Sequence, residues 1–341
     1  MRGKNIIIVS SGTGGHIYPG LALAEEFKNK GHNIIFFINN NSISVKILKN
    51  SEFKYIQFNI FKMPRKNPFL FVLFLFKMKF IFFKSIMQII KIKPLVVIGT
   101  GGCITIPVLF ASKILHKKIF IHEQNSIPGK ANLLLNRIAD ETFISFRISK
   151  KYFKNKNTTF MIYPVRKDIL LASREKALQK FKLNDRTTTI LIFGGSLGAA
   201  KLNHIAYETF LNLSYKNKFQ ILHITGDDDY IIVKKNIKDS RNYLVFKYMH
   251  DISNAYAVSD IVICRSGAST IFELKALNKP AILIPYPYAT DNHQYHNARE
   301  IEKYGRIMII EEKNLTKEIL IRNVCMLKKT IRNNNIDNVI F

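Results

Sequence analysis

SSGTGGHIYPG, residues 10–20, follows the apolar run IIIV at 6–9 and leads into a helix-length stretch from about Tyr18. GGSLGA, residues 194–199, follows ILIF in the same way and leads into a second such stretch near Ala199. Glycines at a turn of this kind let the backbone approach a ligand closely. The N–H groups and positive end of the following helix then suit an anion such as a phosphate. Two such turns about half a chain apart predict two similar α/β halves facing one ligand-filled cleft.

The rest of the chain extends this pattern. Short β-branched runs alternate with helix-length amphipathic stretches, the signature of parallel α/β sheets. Strands are predicted at 6–9, 33–38, 54–58, 95–99, 118–122 and 141–145, then at 187–193, 219–225, 243–246, 260–264 and 281–285. Helices are predicted from near Tyr18, Ser42, Pro68, Ile104 and Gly129, then Ala199, Asp229, Asp251, Ala268 and Gln294. The halves divide near Tyr163-Pro164-Val165-Arg166, after a short apolar strand, because Pro164 disfavours helix at Tyr163. This gives an N-terminal domain at 1–162 and a C-terminal domain at 163–341. The tail NNNIDNVIF at 333–341 has little helical character and is expected to fray, or the chain after about 321 to pack back on the first domain.

With 341 residues, 47% of them hydrophobic and 22% charged, the chain can build two real cores and is not a disordered polymer. Its net charge of +28 attracts anionic partners: nucleotide substrates, lipid headgroups or nucleic acid. No RNA-binding signature, zinc-finger spacing or basic heptad region is present, so nucleic acid is not an expected partner. Lys, Asn, Ile and Phe are heavily used and Trp is absent, which is also what A+T-rich codons encode. Cys103, Cys264 and Cys325 are widely spaced and form no CxxC or Cys/His metal pattern, which fits a reducing cytoplasm. The first apolar run is strand-length and is not a signal peptide.

Residues 67–91, NPFLFVLFLFKMKFIFFKSIMQIIK, are almost wholly apolar from Phe69 to Phe83 apart from Lys77 and Lys79. A spanning helix needs about 20 apolar residues, and central lysines are costly there. Two compatible readings remain. The helix lies on an anionic membrane, with Phe71, Leu75, Phe82 and Phe83 dipped in and Lys77, Lys79 and Lys84 at the headgroups. Alternatively it covers the sheet, with its lysines reaching outward.

The first glycine turn is neither a GxGxxG fingerprint, since Ile17 stands where the third glycine belongs, nor a P-loop, since Leu21-Ala22 replace Lys-Ser/Thr. Its distinctive residue is His16. At the carboxyl ends of the strands, where open α/β sheets bind ligands, an imidazole with an unperturbed pKa near 6.5 suits a general base. A helix-capping histidine is the alternative. GTGGCITIP at 99–107 and HEQN at 122–125 also follow strands and bring further donors to the same edge, or make a solvated loop. In the second half, CRSGAST at 264–270 joins a strand to a helix with Glu273 one turn in, a place where a carboxylate can bind two ribose hydroxyls. Asp291-Asn292-His293-Gln294 offers donors and acceptors for sugar hydroxyls, or starts a helix with Asp291 as its cap.

Taken in order and spacing, GTGGHIYPGLALA, HEQN, YPVR, GGSLGA, CRSGASTIFE and ATDNHQYHNA resemble the MurG family of peptidoglycan N-acetylglucosaminyltransferases over roughly residues 4 to 320. The resemblance implies a GT-B fold of two Rossmann-like domains. It also implies inverting transfer from UDP-N-acetylglucosamine to lipid I, making lipid II for the cell wall and hence for cell shape and division. His16 would be the essential histidine, with Thr13, Gly14 and Gly15 lining the cleft beside it. His293 and Gln294, with Asn125, would meet the donor sugar. Ala268, Ser269 and Thr270 would line the donor site, Glu273 would take the ribose, the Met249 backbone the uracil, and Ser196 and Arg166 the diphosphate. Gly101 and Gly102 would help receive the lipid diphosphate. The 67–91 segment falls where the family has an apolar patch ringed by basic residues. The family's place is the cytoplasmic face of the plasma membrane, as a peripheral protein beside other cell-wall synthesis proteins.

The chain departs from the family pattern at Ile162-Tyr163, Leu197, Cys103 and Thr105, which bear on contacts to the diphosphate and the acceptor. No acidic pair sits in a convincing metal-binding loop. Asp227-Asp228-Asp229 reads as a turn and helix start, so a metal-independent reaction without cofactor is expected. Two rival functions remain at this point. One is a GT-B transferase with another lipid acceptor such as diacylglycerol. The other is an inert nucleotide-sugar or polyanion-binding protein.

Overall fold

The structure, a computed structural model, describes residues 3–337 except 11–13, 41, 62, 65–66, 155–156, 196–197, 217, 238–239 and 304–305. The chain divides into two compact units, Met1–Arg166 and Lys167–Phe341. Tyr163 to Arg166 thus close the first unit. Tyr163 is buried there, its ring centroid 5.9 Å from that of His122.

The first unit holds seven parallel strands: β1 (Asn5–Ser10), β2 (Asn33–Asn39), β3 (Lys54–Phe58), β4 (Val96–Gly99), β5 (Lys118–Glu123), β6 (Glu141–Ile144) and β7 (Thr158–Phe160). Their order is β3-β2-β1-β4-β5-β6-β7. Ile6, Ile7, Ile8 and Val9 are all buried, as expected for a strand covered on both faces. The direction of winding reverses between β1 and β4, which pair in register from Ile6↔Val96 to Val9↔Gly99. The turns leaving these two strands therefore emerge side by side, at the switch point where such sheets bind ligands.

The second unit repeats the plan with β8 (Thr189–Phe193), β9 (Gln220–Ile224), β10 (Tyr243–Phe246), β11 (Ile261–Cys264), β12 (Ala281–Leu283) and β13 (Ile307–Ile309), ordered β10-β9-β8-β11-β12-β13. Here the switch lies between β8 and β11. The three-residue edge strand β13 was not among the expected strands, because a run so short has no periodicity to read.

Two expectations about the tail are corrected. The last helix, Lys317–Asp337, takes in the first five residues of the stretch expected to lack helical character, and 338–341 lie outside the described residues. Leu320, Val324 and Leu327 are buried in the core of the second unit, with Ile190, Phe210 and Ile263. At about 1.5–3 kcal/mol for each fully buried aliphatic side chain, this stripe holds the helix on its own unit's sheet.

The apolar segment forms the helix Pro68–Ile92. Asn67 caps it, its side chain accepting from Leu70 N at 3.0 Å, and Pro68 occupies the first turn, where a missing N–H costs nothing. Lys93, in the left-handed region at φ 53°, ends it. Phe74, Ile81, Ser85 and Ile89 are buried, along a stripe with steps of seven, four and four residues.

Candidate active site

The helix after β1 begins at Gly14 rather than near Tyr18, so His16 sits in its first turn, at the carboxyl end of the sheet. Glycine is a poor helix former, which hides this start in the sequence; the first turn tolerates it. The turn after β4 comes up beside it. Thr100 continues the strand, its N–H donating to Val9 O at 2.9 Å. Its own carbonyl oxygen lies 3.0 Å from His16 Nδ1. Gly101 follows with φ +114°, and a Cβ on it would stand 2.8 Å from both Cε1 and Nδ1 of His16. Gly102, at φ +92°, is also left-handed. The glycine cluster at 99–102 is therefore the seat of the imidazole, a role the sequence reading did not give to Gly101.

HEQN supplies the third side of this site. His122, Glu123 and Gln124 are buried, so this is no solvated loop. The Gln124 amide nitrogen donates to Thr100 O at 3.0 Å and also contacts His16 Nδ1. Glu123 accepts from Asn125 N at 2.9 Å and Asn125 Nδ2 at 3.2 Å through one oxygen, and from Gly129 N and Asn132 Nδ2, both at 2.9 Å, through the other. Burial pushes its pKa up, while these four bonds pull the other way. Glu123 thereby fixes Asn125, the residue expected to reach the donor sugar. His122 Nε2 pairs with Ser145 Oγ at 2.8 Å, and burial lowers its pKa to about 3, so it stays neutral and structural. Arg166 places its guanidinium 5.0 Å from the centre of the Tyr18 ring.

In the second unit the glycine turn after β8 has Gly195 at φ +87° and Gly198 at φ +75°. A Cβ on Gly198 would strike Thr225 O at 2.6 Å, so only glycine fits between the turn and the end of β9. Behind it lies a buried network absent from the sequence reading. His223 Nε2 donates to Asn203 Oδ1 at 3.0 Å, and Tyr243 Oη donates to His223 Nδ1 at 2.9 Å. Asn203 Nδ2 donates to Thr225 O at 2.8 Å and Asp229 Oδ2 at 2.6 Å. Asp227, Asp228 and Asp229 occupy the first turn of a helix, as their reading as a helix start requires.

Ala268, Ser269 and Thr270 open the helix Ala268–Ala276 after β11, and Glu273 lies one turn in at 8% exposure. Tyr256 Oη donates to Glu273 Oε2 at 2.9 Å, a partner the sequence reading missed. Arg265 donates through Nη1 to Ile284 O at 3.2 Å and Pro285 O at 3.3 Å and pairs through Nη2 with Glu312, bracing the chain that leaves β12. That chain returns through Asp291 and Asn292, both left-handed at φ 51°, into the helix His293–Glu302. Asn292, not Asp291, is the residue before the helix, and its side chain makes no cap bond. His293 Nδ1 donates to Thr290 O at 2.7 Å, and burial lowers its pKa. Gln294 Oε1 accepts from Tyr286 N at 3.0 Å, which turns its NH2 group into the end that can serve a ligand. Met249 is half-buried in the irregular segment after β10.

Residues 6–144 match the glycosyltransferase family 28 N-terminal domain, and 189–338 match the family's C-terminal domain. A Desulforamulus reducens protein called UDP-N-acetylglucosamine--N-acetylmuramyl-(pentapeptide) pyrophosphoryl-undecaprenol N-acetylglucosamine transferase is 36% identical, over 93% of this chain and 88% of its own. Its namesake in Acetivibrio thermocellus is 37% identical over 95% and 89%. The crystal structure of Acinetobacter baumannii MurG superposes with a TM-score of 0.71 at 26% identity, over 95% of this chain and 91% of that one.

The chain belongs to the MurG family of glycosyltransferase family 28.

It is accordingly a glycosyltransferase of GT-B fold, with one Rossmann-like parallel sheet in each unit. Of the residues that the MurG resemblance singles out, Gly14, Gly15, His16, Gly101, Gly102 and Asn125 gather at the carboxyl edge of the first sheet, and Ala268, Ser269, Thr270 and Glu273 follow β11 in the second. Thr13 and Ser196, like Leu197, lie outside the described residues.

The expected MurG-type apolar patch has the following form. Phe71, Leu75, Phe76, Phe80 and Phe83 are exposed, with Lys79 among them and Lys77 half-buried above the Phe61 ring. Phe82 is a correction: it turns inward and packs against the core cluster of Phe74 and Ile81. One step along a helix is 100°, enough to carry Phe82 away from the face that holds Phe83. Among the described residues, no helix is long and apolar enough to cross a membrane.

Proposed function

We propose that the chain transfers N-acetylglucosamine from UDP-N-acetylglucosamine to the 4-hydroxyl of the N-acetylmuramic acid of lipid I, with inversion, making lipid II. The donor and acceptor follow those in the names of the curated relatives. The observation that carries the chemistry is the fixed imidazole of His16, held against Thr100 O and Gly101 at the carboxyl edge of the first sheet.

In this reading His16 takes the proton of the acceptor hydroxyl as its oxygen bonds to the anomeric carbon. The bond from that carbon to the diphosphate oxygen breaks, and its electron pair leaves with UDP. The imidazolium so formed donates from Nδ1 to Thr100 O, which offsets its charge where it develops. Glu273 takes the ribose hydroxyls, the Met249 backbone the uracil, and His293, Gln294 and Asn125 the sugar. Arg166 and the N–H groups of the second-unit glycine turn meet the diphosphate charge, without a metal ion or other cofactor. The exposed Phe and Leu face of the helix Pro68–Ile92, with its lysines, rests on the anionic cytoplasmic surface of the plasma membrane as a peripheral contact.

The deciding experiment measures transfer of radiolabelled N-acetylglucosamine by the purified protein to lipid I and, separately, to diacylglycerol. Label appearing in lipid II supports the reading. Label appearing only in the glyceride, or in neither, removes it.

A further inference from the structure

Two polar atoms meet at Nδ1 of His16. Thr100 O, which can only accept, lies 3.0 Å from His16 Nδ1 and 3.0 Å from the Gln124 amide nitrogen, and that nitrogen also contacts Nδ1. Gln124 is 1% exposed, and its Oε1 has no hydrogen-bond partner among the described residues. Gly101 stands beside the ring, where a Cβ would come within 2.8 Å of Nδ1. Thr100 O and the Gln124 amide thus share Nδ1, and proton exchange with a substrate is assigned to Nε2.

A primary amide has two hydrogens on nitrogen and none on oxygen, so its orientation dictates the ring's proton. With the amide nitrogen inward, one hydrogen serves Thr100 O and the other serves Nδ1. Nδ1 then accepts, and the ring proton sits on Nε2, where it blocks uptake of another. With the amide oxygen inward, Nδ1 must carry the proton, shared between that oxygen and Thr100 O, and Nε2 holds a lone pair. The first arrangement leaves the acceptor Oε1 unused, and the second puts the NH2 group in its place.

We propose that Gln124 is a positioning residue whose carboxamide orientation sets which nitrogen of His16 carries the proton. The inward nitrogen holds a resting tautomer, and turning the amide about its last side-chain bond creates the proton-accepting one. This inference rests on the reading of His16 as the base. The exchange balances: one proton leaves Nε2 to water and one binds Nδ1 while the turning amide uncovers it.

The test uses the full chain with 15N-labelled histidine. Long-range proton–nitrogen spectra report which nitrogen of an imidazole is protonated, and His16 among the nine histidines is assigned by the signal lost in His16→Asn. Wild type should show Nε2–H. Gln124→Glu, which can only accept, and Gln124→Leu, which leaves Thr100 O as the partner of Nδ1, should both show Nδ1–H. Gln124→Glu should also raise the pKa of His16 and move the acid limb of kcat/KM up by about one pH unit, because a carboxylate favours the imidazolium. One tautomer in all three proteins, with an unmoved acid limb, overturns the proposal. If Gln124→Leu does not fold, wild type against Gln124→Glu decides alone. Should His16→Ala keep its turnover, the base reading falls, while the tautomer spectra still decide whether Gln124 controls the ring.

Discussion

The imidazole of His16 occupies the space where any residue but glycine at position 101 would place its side chain, with Cε1 and Nδ1 both 2.8 Å from the Cβ such a residue would carry. Two glycine-rich turns from different strands thus form one device, in which the first presents a histidine and the second makes room for it. Gly101→Ala should lower turnover about 100-fold, the scale of an ångström's misplacement of a catalytic group. His16→Ala should cost about 10²–10⁴-fold. UDP binding by calorimetry should be nearly unchanged in both, since the donor is assigned to the second unit. Turnover close to wild type in His16→Ala would remove it as base.

The Tyr256 hydroxyl donates to Glu273. Tyr256→Phe deletes the 2.9 Å bond to its Oε2 and leaves the ring packed edge-on against Phe193. The carboxylate then loses a bond that orients it for the ribose proposed as its ligand. KM for UDP-N-acetylglucosamine should rise roughly fivefold, equivalent to about 1 kcal/mol, with kcat changed less. A rise in KM for the lipid acceptor instead would show that Glu273 serves another ligand.

The network behind the second glycine turn sets stability. Asn203→Ala strips the partner from His223 Nε2 and from Thr225 O, both buried. Each orphaned group costs about 1–3 kcal/mol, so the denaturant midpoint should fall markedly. Gly198→Ala should also destabilise, because Thr225 O at 2.6 Å is backbone and cannot step aside. A midpoint unchanged in both variants contradicts this account.

Acid should unfold the protein partly through His223. Burial lowers its pKa from 6.5 to about 3. Between those values the unfolded chain binds a proton that the folded chain refuses. Stability is therefore lost as pH falls below about 6.5, and the loss levels off near 3. At pH 5 this amounts to roughly 2 kcal/mol. His122, also lowered to about 3 by burial, acts with the same sign, whereas Glu123, raised by burial, acts with the opposite one. Both cancel when wild type is compared with His223→Gln. The gap between the two melting midpoints should narrow as pH drops from 7.5 to 5, and a constant gap would contradict the assignment.

Membrane contact should follow the exposed face of the helix Pro68–Ile92. Phe76→Ser with Phe80→Ser, at 66% and 69% exposure, should weaken binding to phosphatidylglycerol vesicles by about tenfold or more and leave the melting midpoint in place. Phe82→Ser should do the reverse, since that ring packs on the core. Lys77→Gln with Lys79→Gln should weaken binding at low salt, and the effect should shrink at high salt. Equal vesicle binding by all three would count against the patch.

Much of this was legible in the chain. The strands declared themselves as β-branched runs because a parallel sheet covered on both faces leaves no polar position to blur them. The glycine turns and the residues around His16, Glu273 and Gln294 were readable because those residue types have few other reasons to follow a strand. The start of the helix at Gly14 was not legible, since glycine carries no helix signal, and β13 was too short to show a period. Helical spacing offered both readings of the segment 67–91, and only packing decided that Phe82 faces in and Phe83 out.

The amino-acid order by itself determined two parallel α/β sheets and the strand ends where the candidate site residues lie, because periodicity and turn residues are local properties of a chain. Only the folded arrangement decided that Gly101 lies under His16, that Gln124 and Thr100 share its Nδ1, that Tyr256 holds Glu273, and that His223 and Asn203 stand behind the second turn. These pairs are distant in sequence and meet because strand order places their turns together, and no local pattern records which of two distant groups will share a hydrogen bond.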